Sequence, residues 1–111
     1  MSPRPTVPAM LDLLESAYLT IAKRAEAADE DRQRLATIIA DLRWYAARLG
    51  EERWERQPRP GRWSLAENIW HIAEQAIAAA DAPRPRPVVY YIDHGKEHIG
   101  QAAEIFALFE Y

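Results

Sequence analysis

Cysteine is absent from the chain. That excludes disulfides and every zinc finger, and leaves the redox compartment open. Lysine is nearly absent too: the basic residues are almost all arginine, and the formal net charge is −3. A nucleic-acid binder shows a continuous basic face and usually a positive charge. Here the arginines cluster locally, at Arg53, Arg56, Arg59 and Arg62 and again at Arg84 and Arg86, with acids interleaved elsewhere. No nucleic-acid partner is expected. No apolar run approaches the length of a bilayer-spanning helix, so no membrane partner is expected either. The opening Met1-Ser-Pro-Arg-Pro-Thr-Val-Pro8 has no apolar signal core, which makes a cytoplasmic location the expectation. At 111 residues the chain reads as one domain, 1–111. That length buries about 60 to 70% of the unfolded surface, so folding requires neither metal nor disulfide.

Four amphipathic helices account for most of the chain. In the first, about residues 7–28, Leu11, Leu14, Tyr18, Ile21 and Ala25 recur at spacings of three and four and make one apolar stripe. Thr6 is its cap, with Pro8 in the first turn, where a missing N–H costs nothing. The second, about 30–50, carries Leu35, Ile38, Ile39, Leu42, Tyr45, Ala46 and Leu49 and stops at Gly50. An irregular segment punctuated by Pro58, Pro60 and Gly61 follows. The third, about 64–81, opens on Ser64-Leu-Ala-Glu67, a capping box in which serine and glutamate each satisfy a free backbone N–H. Pro83, Pro85 and Pro87 then forbid helix, and the fourth runs over about 88–110, with Gly95 and Gly100 as weak points. No strand competes. An all-α, antiparallel four-helix bundle is the natural solution. The tryptophans Trp44, Trp54, Trp63 and Trp70 suit its core or a dimer interface, and Trp63 suits a hydrophobic staple ahead of the third helix.

All three histidines fall in two short stretches, His71 on the third helix and the pair His94/His98 on the fourth. Imidazole is the commonest metal-binding side chain. Residues four apart on a helix differ by about 40° and sit one turn above each other, so His94 and His98 share a face. That face also carries Tyr91, Gln101, Ile105 and Leu108, whereas Val88, Ile92, Ile99, Ala103 and Phe106 form a separate stripe. His71 lies opposite the apolar stripe of its own helix, beside Glu67, Glu74 and Gln75. On spacing alone it reads as a solvated surface residue, and the pair as partly buried polar groups. A ligand role for His71 requires its face to border a groove toward the last helix, which a short connection between the two helices favours.

The segment Arg59-Pro-Gly-Arg-Trp63-Ser-Leu-Ala-Glu67-Asn-Ile-Trp-His71 resembles the signature of the DinB/YfiT-like superfamily of four-helix-bundle metalloenzymes. Tyr91-Ile-Asp-His94-Gly-Lys-Glu-His98-Ile-Gly-Gln101 is similar to that superfamily's second ligand segment, two histidines at i and i+4 followed by glutamine. The resemblance implies an up-and-down bundle in which His71, His94 and His98 hold one divalent ion, with positions open to water. Glu67, Tyr91 and Gln101 are then candidates to orient a ligand or bound water, although the capping box alone explains Glu67. Members of the superfamily have another helix between the two histidine segments. Here that helix is missing, and an additional one precedes the usual first. Either the N-terminal helix fills the gap, or a second copy completes the bundle.

Three neutral imidazoles suit zinc, nickel, iron or manganese. The resemblance implies a hydrolase or a thiol S-transferase acting on a small molecule, with a low-molecular-weight thiol as partner in the second case. No separate nucleophile or acid–base pair stands out, and the catalytic residues stay unassigned. Two readings stand beside the enzyme: a metal-binding but catalytically silent bundle, and a non-catalytic interaction protein that forms a homodimer through surplus apolar helix faces.

Overall fold

The computed structural model describes residues 4–110. Residues 1–3, part of the opening stretch expected to lack an apolar signal core, lie outside the described residues. All the regular structure among the described residues is helical: α1 (Val7–Arg24), α2 (Asp29–Leu49), a short 3-10 turn (Glu51–Arg53), α3 (Leu65–Asp81) and α4 (Val88–Glu110). None of the four helices is long and apolar enough to cross a membrane.

Local chemistry sets each boundary. The Thr6 hydroxyl accepts from the Ala9 N–H at 3.3 Å to start α1, with Pro8 in its first turn. The helix ends four residues before the expected Ala28. Glu26 adopts φ 51°, so that the Ala27 N–H reaches the Ala22 carbonyl at 2.9 Å and the Glu26 N–H reaches Lys23 at 3.2 Å. This is a Schellman ending without the glycine that normally signals one. Asp29, Glu30 and Asp31 then place negative charge on the first turn of α2, where the helix dipole favours it. Gly50, at φ 89°, takes the chain out of α2 in a conformation that L side chains resist. Trp54 ties the irregular segment down: its indole donates to the Ala46 carbonyl at 2.8 Å, and its own carbonyl accepts from the Ala66 N–H at 2.9 Å. Both arms of the capping box at Ser64 and Glu67 form.

The helices alternate in direction. In cross-section α1 packs between α2 and α3, and α4 packs between the same two. Leu11, Leu14 and Tyr18 are buried, and α1 lies along α3, so this chain's own N-terminal helix supplies the fourth member of the bundle. Arg24 locks the far end by donating to the Ala80 carbonyl at 2.7 Å and the Pro83 carbonyl at 3.3 Å.

The buried face of α4 draws on both faces read from the sequence. Val88 and Ile92 are buried, but the rest of the core-facing line is Tyr91, Gly95, His98, Ala102 and Ile105, while Ile99, Ala103 and Phe106 are only partly covered. Gly95 is the reason. A methyl built on it would stand 2.4 Å from Ile38 Cδ1, so α4 approaches α2 through the glycine and turns its histidine face inward. Trp44 and Trp63 are not core residues, being 51% and 43% exposed. Trp44 lies across Tyr45 and Phe106 on the outside of α2 and α4.

Candidate metal centre

Asn68 positions the site from inside the core. It sits one turn past the Ser64 cap, 1% exposed, and both its backbone N–H and its side-chain amide donate to the Ser64 carbonyl, at 3.1 and 2.9 Å. With the amide nitrogen so engaged, Oδ1 faces His98 Nδ1 at 2.8 Å. An amide oxygen only accepts, so His98 carries its proton on Nδ1 and donates it. Nε2 keeps its lone pair. A neutral ring held in one tautomer by a neighbouring carbonyl is how metal-binding imidazoles are commonly oriented. Burial lowers the His98 pKa, and the nearby charge of His71 pushes it the same way, against the opposing pull of Glu97. Both effects favour the neutral ring.

His71 faces the α3–α4 groove rather than open solvent. Its ring centre lies 5.4 Å from that of His98, and Trp63 covers both, 5.1 Å from His71 edge-on and 6.4 Å from His98 nearly parallel. The ring of His94 rests against Tyr90 at 4.4 Å, and its Nδ1 is buried without a hydrogen-bond partner among the described residues. His71, His94 and His98 line one open cleft of about 290 Å³ with Trp63, Glu97 and Gln101.

The donor chemistry fits a divalent cation. Two imidazoles bound to one ion at about 2.1 Å stand with ring centres roughly 5 Å apart, close to the His71–His98 separation. A buried ring nitrogen without a partner, as on His94, carries a desolvation cost that a ligand would offset. Among the described residues, however, no three His, Asp or Glu side chains already stand in a coordinating arrangement. The histidines share a cleft without closing on a common point.

The remaining candidates divide. Gln101 lies in the histidine cleft. Glu67 completes the capping box by accepting the Ser64 N–H at 2.9 Å, and borders an adjoining cleft beside His71. The Tyr91 hydroxyl is turned to the connector, where it accepts the Arg86 N–H at 3.1 Å. Asn68 was not among the sequence candidates. Its one signal was a polar side chain on the α3 face that also carries Leu65 and Ile72, a contact thirty residues from His98 that no local pattern announces.

No curated protein and no solved structure matches the chain. The family model of the DinB superfamily matches residues 34–108. That stretch spans most of α2 and all of α3, and it reaches the last turn of α4. It contains the cap at Ser64, Asn68 and every histidine, and leaves only α1 among the helices outside. The chain belongs to the DinB superfamily.

Proposed function

We propose that this protein binds one divalent metal ion through His71, His94 and His98 and acts on a small molecule, as a hydrolase or a thiol S-transferase. The observation that carries the proposal is the Asn68–His98 hydrogen bond, which leaves His98 Nε2 unprotonated beside His71. When bound, the ion supplies a Lewis acid whose open position lowers the pKa of a water or thiol. Asn68 holds the His98 proton at Nδ1. Trp63 shields the His71–His98 pair from bulk water, and Gln101 offers an amide to a substrate polar group at the cleft rim. Glu67 is assigned no proton-transfer role, because its carboxylate is occupied at the head of α3.

The test is a panel of small esters, amides and electrophilic alkyl compounds assayed with added metal, with and without a low-molecular-weight thiol. Turnover that disappears in a His94→Ala/His98→Ala variant supports the enzyme, and its dependence on thiol selects between hydrolase and transferase. Metal uptake without turnover of any compound leaves the silent bundle. The homodimer reading draws on Trp44, Leu19 and Val89, which leave apolar surface in water; sedimentation tests it.

A further inference from the structure

The connector between α3 and α4 reads Pro83-Arg-Pro-Arg-Pro87, and neither the bundle nor the histidine site accounts for its arginines. Hydrogen bonds fix it at both ends. Arg24 holds the Ala80 and Pro83 carbonyls, and the Arg86 N–H donates to the Tyr91 hydroxyl. Alternating proline restricts the backbone further. Between this strap and the last turns of α3 lies a cleft of about 360 Å³, lined by Gln75, Arg84, Arg86, Tyr90 and Tyr91 among others. Among the described residues no carboxylate lines it. Neither Arg84 nor Arg86 belongs to an ion pair among the described residues. In a chain of net charge −3 this is a positive pocket without its own counter-charge.

The Arg86 guanidinium is already placed, 4.6 Å over the ring of Tyr90. Tyr90 in turn packs on His94 at 4.4 Å. A planar guanidinium stacked on an aromatic ring keeps its edge donors free for a carboxylate or phosphate, and less freedom is lost when the contact forms. Gln75, from α3, adds a neutral donor on the opposite wall.

We infer that this cleft is an oxyanion-binding subsite, in which Arg84 and Arg86 hold the carboxylate or phosphate of a small organic molecule whose other end reaches the histidine cleft past Tyr90. The inference rests on the proposed function for the reactive end of that molecule only. Anion capture itself requires no metal.

The experiment titrates the full-length, metal-free protein with inorganic phosphate, with succinate and with the neutral succinamide, following the arginine side-chain N–H signals and the His94 ring by NMR. Saturable shifts of Arg84, Arg86 and His94 are expected with phosphate or succinate, and the tighter of the two assigns the anionic group. Binding should weaken about tenfold or more in an Arg84→Gln/Arg86→Gln variant, a change in two exposed side chains that leaves the core intact. Metal uptake by that variant should match the unaltered protein. The inference is overturned by an absence of saturable shifts, by an equal response to succinamide, by retained affinity in the variant, or by arginine shifts that leave the His94 ring unmoved. If the histidines take up no metal while phosphate or succinate still binds, the metal reading alone fails.

Discussion

Replacing Asn68 with alanine removes the partner of a buried imidazole while sparing nearly everything else. The Ser64 carbonyl keeps the Asn68 backbone N–H at 3.1 Å, so it stays satisfied. His98, 5% exposed, is left with an Nδ1–H that meets neither protein nor bulk water. An unsatisfied buried donor costs about 1–3 kcal/mol. The space left by the amide adds about 1 kcal/mol, since a core relaxes only partly around a deletion. The expected loss is about 2–4 kcal/mol, which for a domain of this size lowers Tm by roughly 8–16 °C. Urea unfolding followed by circular dichroism measures the loss, and ring-nitrogen NMR of His98 reports the tautomer. The Nδ1–H form should give way to a mixture in Asn68→Ala. In Asn68→Asp it should persist, with the His98 pKa raised because a carboxylate favours the imidazolium. A loss below about 0.5 kcal/mol in Asn68→Ala, with an unchanged tautomer, would refute the reasoning.

Gly95→Ala forces a methyl against Ile38, an overpacking worth about 1–3 kcal/mol against a helix-propensity gain of about 1 kcal/mol. The variant should be destabilised alone and stabilised in an Ile38→Ala background; additive effects in that double-mutant cycle would exclude the contact. Acid should destabilise the metal-free protein through His98, whose pKa is lowered from 6.5 by burial first and by His71 second. The folded chain then binds fewer protons than the unfolded one. The contribution is whole above pH 6.5 and is lost as pH falls through the lower folded value. Urea unfolding between about pH 8 and about pH 5 should show a decline that His98→Gln lacks, and parallel profiles would count against it. A chain beginning at Asp29 loses Val7, Met10, Leu11, Leu14 and Ile21 from the core. At about 1.5–3 kcal/mol each, that is comparable to the whole stability of a small domain. It should show no cooperative unfolding transition, and a sharp one would mean that α1 is dispensable.

Much of the fold was legible because its punctuation is chemical. Thr6 with Pro8, Gly50, the Ser64–Glu67 box and the proline connector each leave a signature within four residues, and the helices start and stop where those signatures stand. The end of α1 was not legible, because Glu26 takes the left-handed conformation without being glycine. Periodicity separated two faces of α4 without ranking them: Ile99 and Phe106 of the apolar stripe are only partly covered, while packing through Gly95 buries Tyr91, His98 and Ile105 of the histidine face. A close approach between helices is a property of two surfaces, and one helix's pattern does not contain it.

For the site, the two histidine segments were visible, but the orientation of His71 was not. It occupies the polar arc of α3 and reads as solvated until α4 is set beside it and Trp63 laid across it. Asn68 was invisible as a site residue for a related reason: its role exists only through a contact across thirty positions.

The most direct test is calorimetric titration of untagged, metal-stripped protein with zinc and with manganese, repeated on variants. One ion per chain is predicted, with uptake lost in the His71→Ala/His94→Ala/His98→Ala variant and weakened about 10- to 100-fold in Asn68→Ala. The opposite result is no saturable uptake of either metal, or uptake that the triple variant retains. Either would show that the imidazoles of α3 and α4 meet in one cleft without sharing an ion.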